Sequence, residues 1–129
     1  PMGSVHFYHC NPRHHSIGLL HMGEVSGIQH MMLEVTEVDM MLQCLERVQD
    51  AGINVTSSVG RHINDNTLSF YMSSPFGFEV EIGFDGLVLE DDWVANQFVG
   101  GDIWGHRGLD PETIEANLAS LKAKQGIES

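Results

Sequence analysis

The chain has 129 residues, 42% of them hydrophobic, and its 18 acidic side chains against 6 basic ones leave a formal charge of -12. That length allows one modest core, and the charge argues against nucleic acid or an anionic membrane as partner, because either surface would repel it. No stretch is long and apolar enough to span a bilayer and no basic-then-apolar leader appears. Cys10 and Cys44 suit free thiols rather than a secreted disulfide framework, so a cytoplasmic location is expected.

Taken in chain order, residues 5–10 and 16–22 are short apolar runs on either side of NPRHH. The Asn11-Pro12 turn signal between them predicts two strands joined by a loop. A break follows from Gly23 to Gly27. Residues 28–35, IQHMMLEV, read as a strand with His30, Met32 and Glu34 on one face and Met31, Leu33 and Val35 on the other.

TEVD, from Thr36, is expected to cap a helix. Val38, Met41, Leu42, Leu45 and Val48 then recur at helical spacing until Gly52 stops the pattern. Residues 53–59, 67–73 and 78–84 are three further strands, the last two joined by a Pro-Gly turn, SPFG. Residues 93–99 read as a connector, and Asp110-Pro111-Glu112 as the start of a second helix running to about Lys122. Lys122 and Lys124 complement the dipole at its end.

The expected class is therefore α+β: a βαβββ module, forming an incomplete half-barrel of mostly antiparallel sheet. Residues 28–86 make the module, residues 1–27 the last two strands of a preceding one, and residues 87–129 a C-terminal connector and helix.

The strands carry unusual polar groups. Alternation places Glu79 and Glu81 opposite Phe78, Val80, Ile82 and Phe84, and Ser69 with Tyr71 opposite Leu68 and Phe70. Lining the concave face of a curled sheet, such groups are well used if a cation binds them. His30 and Glu81 would supply an imidazole and a carboxylate, two legs of the facial triad that leaves open positions on non-haem Fe(II). A plainer reading is that His30 is hydrogen-bonded structure and Glu81 faces solvent. Spacing alone leaves both open, the more so as the chain holds 8 histidines.

NPRHHS, GIQHMMLEV, GRHINDNTLSFY, PFGFEVEIGF and DIWGH, in that order and spacing, resemble the C-terminal domain of the type I extradiol ring-cleaving dioxygenases. The likeness is greatest to the 2,3-dihydroxybiphenyl 1,2-dioxygenase group of the vicinal oxygen chelate superfamily, and it runs from about Val5 to His106. It implies that His30 and Glu81, but not Glu79, bind the metal. It implies that His15 is the acid–base catalyst beside bound oxygen, and that His62 and Tyr71 hydrogen-bond the catechol oxygens, with Asn64 and Asp65 as substrate-binding groups close by. Asn66 stands where a histidine is often found, and His14 is expected to be structural.

By the same resemblance the cofactor is Fe(II), with Mn(II) as the alternative, and the reactants are an aromatic diol and O2, with ring opening beside the diol. A further histidine ligand is implied in a strand upstream of anything corresponding to Val5, and no residue here matches it; His6 and His9 fall in a strand without ligands. The isolated chain is thus expected to be inactive or nearly so. A different reading is a non-catalytic small-molecule-binding module of the glyoxalase/bleomycin-resistance type, dimeric through an open sheet edge. In either case a homo-oligomer is expected.

Overall fold

A computed structural model describes residues 3–108 and 111–127. The two N-terminal runs form an antiparallel hairpin, β1 (Val5–Tyr8) and β2 (Ile17–Leu20), with Val5 opposite Leu20 and Tyr8 opposite Ile17. It is a sheet of its own, and Tyr8, Ile17, Leu19 and Leu20 are exposed on it. The loop between its strands is tied to the rest of the chain. Leu89 N–H donates to the Pro12 carbonyl at 2.6 Å, and Arg13 pairs with Glu34.

The larger sheet has five strands in the order β3-β6-β5-β4-β7, comprising β3 (His30–Glu34), β4 (Val55–His62), β5 (Leu68–Ser73), β6 (Glu79–Phe84) and β7 (Asp102–Trp104). β3 and β6 run parallel, as the crossover through helix α1 (Val38–Asp50) requires, and the other three pairings are antiparallel. The sheet is open. The expected strand–helix–strand–strand–strand order is present, but β7 lies within the segment expected to be a connector. Three residues are too short to show a period of two.

The start of α1 also differs from expectation. The N-cap is Glu37, extended and without a side-chain cap hydrogen bond, and the Thr36 hydroxyl turns instead to Met40 Sδ at 3.6 Å. The end behaves as read. Gly52 has φ of 67°, its N–H bonds Gln49 O and the Ile53 N–H bonds Val48 O, both at 3.0 Å, a Schellman closure that needs a left-handed residue.

Met41 and Val48 of α1 meet Phe70 and Ile82 of the sheet to form the core, flanked by Val35, Cys44, Leu45, Val55 and Leu68. Val38 and Leu42, part of the predicted stripe, stay exposed. The helix thus covers one face of the sheet. Ser57, Ser69, Tyr71 and Glu81 are buried as well, and in β5 and β6 the last three alternate with the core residues and so lie on the opposite face.

Helix α2 (Pro111–Gln125) is a turn longer than expected, with Lys122 and Lys124 in its last turn. Gln125 binds the backbone of Ser26 through both its amide atoms, at 2.7 Å and 3.5 Å. Asp110, the expected cap, lies outside the described residues. Among the described residues no helix is long and apolar enough to cross a membrane.

Candidate metal centre

Glu81 is at the middle of the polar face. It is 4% exposed and lies opposite Tyr71 in the β5–β6 register and beside Met32 across the parallel β3–β6 pair. Its two oxygens have different surroundings. Oε1 accepts from Ser69 Oγ at 2.5 Å and lies 3.2 Å from His62 Nε2, while Oε2 lies 3.2 Å from His30 Nε2. Burial alone would raise the pKa of this carboxyl. The hydrogen bonds from His30, His62 and Ser69 outweigh it and hold the group well below the usual carboxylate range, so it is an anion.

His30 is oriented by its neighbour. Its Nδ1 contacts the Gln29 side-chain oxygen, and Gln29 in turn donates to Glu79 at 3.1 Å. With Nδ1–H given to that acceptor, Nε2 is the nitrogen turned to Glu81 Oε2. Either a proton, as in the hydrogen bond above, or a cation in its place joins the two atoms. A buried carboxylate with an imidazole whose outer nitrogen is already held is the donor pair that Fe(II) or Mn(II) accepts, so the residues fit such an ion.

His62 and Tyr71 complete this side. The His62 Nε2 lies 2.8 Å from the Tyr71 hydroxyl, and its Nδ1 lies 2.8 Å from Asp102 Oδ1. Burial disfavours a charged His62, but the hydrogen bond and charge of Glu81, with Asp65 and Asp102 behind them, raise its pKa to about 9. Burial, and then the charge of Glu81, push the Tyr71 hydroxyl far above its ordinary range, so it remains a donor.

His15 approaches from the loop between β1 and β2. Its Nδ1 lies 3.0 Å from His14 Nδ1 and 3.8 Å from Asp65 Oδ2, and Phe7 packs against its ring. Burial lowers its pKa against the pull of Asp65, and the charges of Glu81 and His30 also reach it. His14 is buried between the rings of Phe7 and Trp93.

Asp65 is buried and its Oδ1 accepts from the Thr67 N–H at 3.0 Å, whereas the Asn64 side chain accepts from the Asp65 N–H at 2.8 Å. Both therefore shape the β4–β5 turn, with Asp65 also facing His15. Asn66 has φ of 61° and its carbonyl accepts from Arg61 at 2.6 Å, which gives it a conformational role at the tip of that turn.

Two groups of three ligand-type side chains lie within 4.8 Å of one another among the described residues: His14, His15 and Asp65, and His62, Asp102 and His106. Neither contains His30 or Glu81. In the second, one oxygen of Asp102 serves both rings, His106 at 2.5 Å and His62 at 2.8 Å. The sequence assigns Asp102 and His106 no role, although they stand at the two ends of the DIWGH block.

The family described as the Glyoxalase/Bleomycin resistance protein/Dioxygenase superfamily matches residues 1–82. The chain is 43% identical over 103 residues to an iron-dependent extradiol dioxygenase of Rhodococcus jostii (strain RHA1), covering 79% of this chain and 34% of that one. It is 37% identical over 112 residues to a biphenyl-2,3-diol 1,2-dioxygenase of Metapseudomonas furukawaii, covering 87% and 37%. The crystal structure of the 2,2',3-trihydroxybiphenyl 1,2-dioxygenase of Sphingomonas wittichii strain RW1 superposes with a TM-score of 0.74 at 36% identity, over 83% of this chain and 39% of that one. The chain thus spans little more than a third of the length of these relatives. With its βαβββ sheet and its match over residues 1–82, the chain belongs to the Glyoxalase/Bleomycin resistance protein/Dioxygenase superfamily.

Proposed function

We propose that this chain is the ligand-bearing module of an extradiol dioxygenase that opens a bicyclic or polycyclic catechol of the 2,3-dihydroxybiphenyl type beside its diol. The observation that carries this is the meeting of His30 Nε2 and Glu81 Oε2 at 3.2 Å, with His62 and Tyr71 directly beside them. His30 and Glu81 would hold Fe(II), or Mn(II) in its place. When bound, the ion would bring the diol and O2 together and let electrons pass between them.

The remaining roles belong to the protein. Tyr71, kept protonated, donates a hydrogen bond to a catechol oxygen, and His62, charged near neutral pH, offers a second donor that favours the catecholate form. His15, kept neutral by burial, accepts a proton and returns it. Its Nδ1 is engaged with His14 and faces Asp65, so the exchanging nitrogen is Nε2. Asn64 and Asp65 hold the turn that brings His62 and His15 to the substrate.

Two protein ligands grip an ion less firmly than three, and the family pattern includes a further histidine that no residue here matches. The 129-residue chain by itself is therefore proposed to bind metal weakly and to turn over little or nothing. A homo-oligomer in the cytoplasm completes the proposal, supported by the exposed Met31 and Leu33 on the edge strand β3 and by two free cysteines.

The test is Fe(II) or Mn(II) titration of the chain, followed by 2,3-dihydroxybiphenyl under air. Binding that disappears in both His30→Ala and Glu81→Gln, with negligible yellow ring-fission product, is the expected result. Metal binding indifferent to both substitutions would remove the metal reading, and sustained turnover by the isolated chain would remove the claim of inactivity.

A further inference from the structure

His106 has no part in the chemistry above, where Asp102 enters only through its hold on His62, yet the placement of His106 is costly. Its ring is fully buried, and its backbone has φ of 49°, a left-handed conformation uncommon outside glycine. The neighbouring backbone is cut away to receive it. A Cβ on Gly60 would lie 2.4–2.8 Å from the backbone and ring of His106, and one on Gly105 would lie 2.3 Å from the Val59 carbonyl oxygen. Gly60 pairs with Ser69 across β4 and β5, so the missing side chain leaves the space through which His106 reaches Ser69.

The contacts there have a definite hydrogen-bond sense. His106 Nδ1 faces the Asp102 carboxylate at 2.5 Å, and Nε2 faces the Ser69 carbonyl oxygen at 3.0 Å and the Ser69 hydroxyl at 3.1 Å. A carbonyl only accepts, so Nε2 directs an N–H at Ser69, and the hydroxyl can meet that N–H only with a lone pair. The hydroxyl hydrogen is then left for Glu81 Oε1, 2.5 Å away. His62, held by the same Asp102 oxygen, also points at Oε1.

We infer that Asp102, His106 and Ser69 form a positioning unit that holds Glu81 by Oε1 and so presents Oε2 alone to the metal. The second half of this inference rests on the metal reading above; the first half does not. The C-terminal strand β7 acquires a purpose by it: it carries Asp102, and two residues beyond its end the chain delivers His106. The unit acts on the ligand through hydrogen bonds and touches neither diol nor oxygen.

The test uses the whole 129-residue chain with two readouts. In the metal-free protein at neutral pH, the 13C resonance of the Glu81 carboxyl should move in Ser69→Ala and move in the same direction in His106→Gln. In the metal titration, both variants should bind Mn(II) about 10–100-fold more weakly than the wild type, the usual cost of removing an outer partner of a ligand. A Glu81 resonance that moves in Ser69→Ala but stays in place in His106→Gln would overturn the unit, as would wild-type Mn(II) affinity in both.

If wild type and His30→Ala take up Mn(II) equally poorly, the metal reading has failed, and the carboxyl shift alone decides the positioning. Should His106→Gln not fold, Gly60→Ala gives the same readouts, because it keeps every member of the unit and puts a methyl group where the ring must sit.

Discussion

Phe70 and Tyr71 are neighbours in β5, both almost fully buried, and they serve opposite faces of the same sheet. Phe70 joins Met41, Val48 and Ile82 under α1, where any group of suitable size and apolarity will do. Tyr71 faces Glu81 and His62 on the other side, where each polar atom needs a partner of the right kind at the right distance. The first face favours folding by removing apolar surface from water. The second is costly to bury and is retained only because its groups hold one another in place.

Four measurements test that contrast. Phe70→Ala should cost about 3–5 kcal/mol in chemical denaturation, and in a variant still folded it should leave the dependence of metal binding on His30 and Glu81 intact. Glu81→Gln should do the reverse, weakening Mn(II) binding by more than about 100-fold, beyond the loss of an outer partner, while costing less stability than Phe70→Ala. Equal effects of the two on both readouts would erase the distinction between faces.

Next in size is the response to acid. Burial lowers the His14 pKa below its ordinary 6.5, so the folded state takes up its proton later than the unfolded chain. As pH falls through 6.5 toward that lowered value the unfolded chain binds more protons and stability drops; above 6.5 this contribution is constant. The slope for one proton is at most about 1.4 kcal/mol per pH unit, and a denaturation series from pH 7 to 5 should be shallower in His14→Gln. The smallest effect is at the β4–β5 turn. Asn66→Ala should cost about 1 kcal/mol because its φ is positive, and Asn66→Gly should cost nothing measurable.

Much of the sheet was legible from alternation. The parity of FEVEIGF separates Glu81 from Ile82, and that of TLSFYMS separates Tyr71 from Phe70. Helix α1 was legible from its spacing and from Gly52, but not its start, because whether Thr36 caps depends on a backbone angle that the residue type does not impose. Parity and resemblance point to His30 and Glu81; nothing local to either says that their side chains meet at 3.2 Å, since 51 positions and a helix separate them.

Composition and periodicity by themselves determined that the chain forms an α+β unit with one apolar and one polar face, because those patterns are properties of single segments read against a period of 2 or 3.6. Tertiary structure decided what the polar face consists of. β7 was too short to be seen as a strand, and its docking on β4 is what carries Asp102 and His106 to Ser69 and leaves each oxygen of Glu81 a different task. Such an arrangement depends on distances between strands far apart in the chain, a quantity that no single segment encodes.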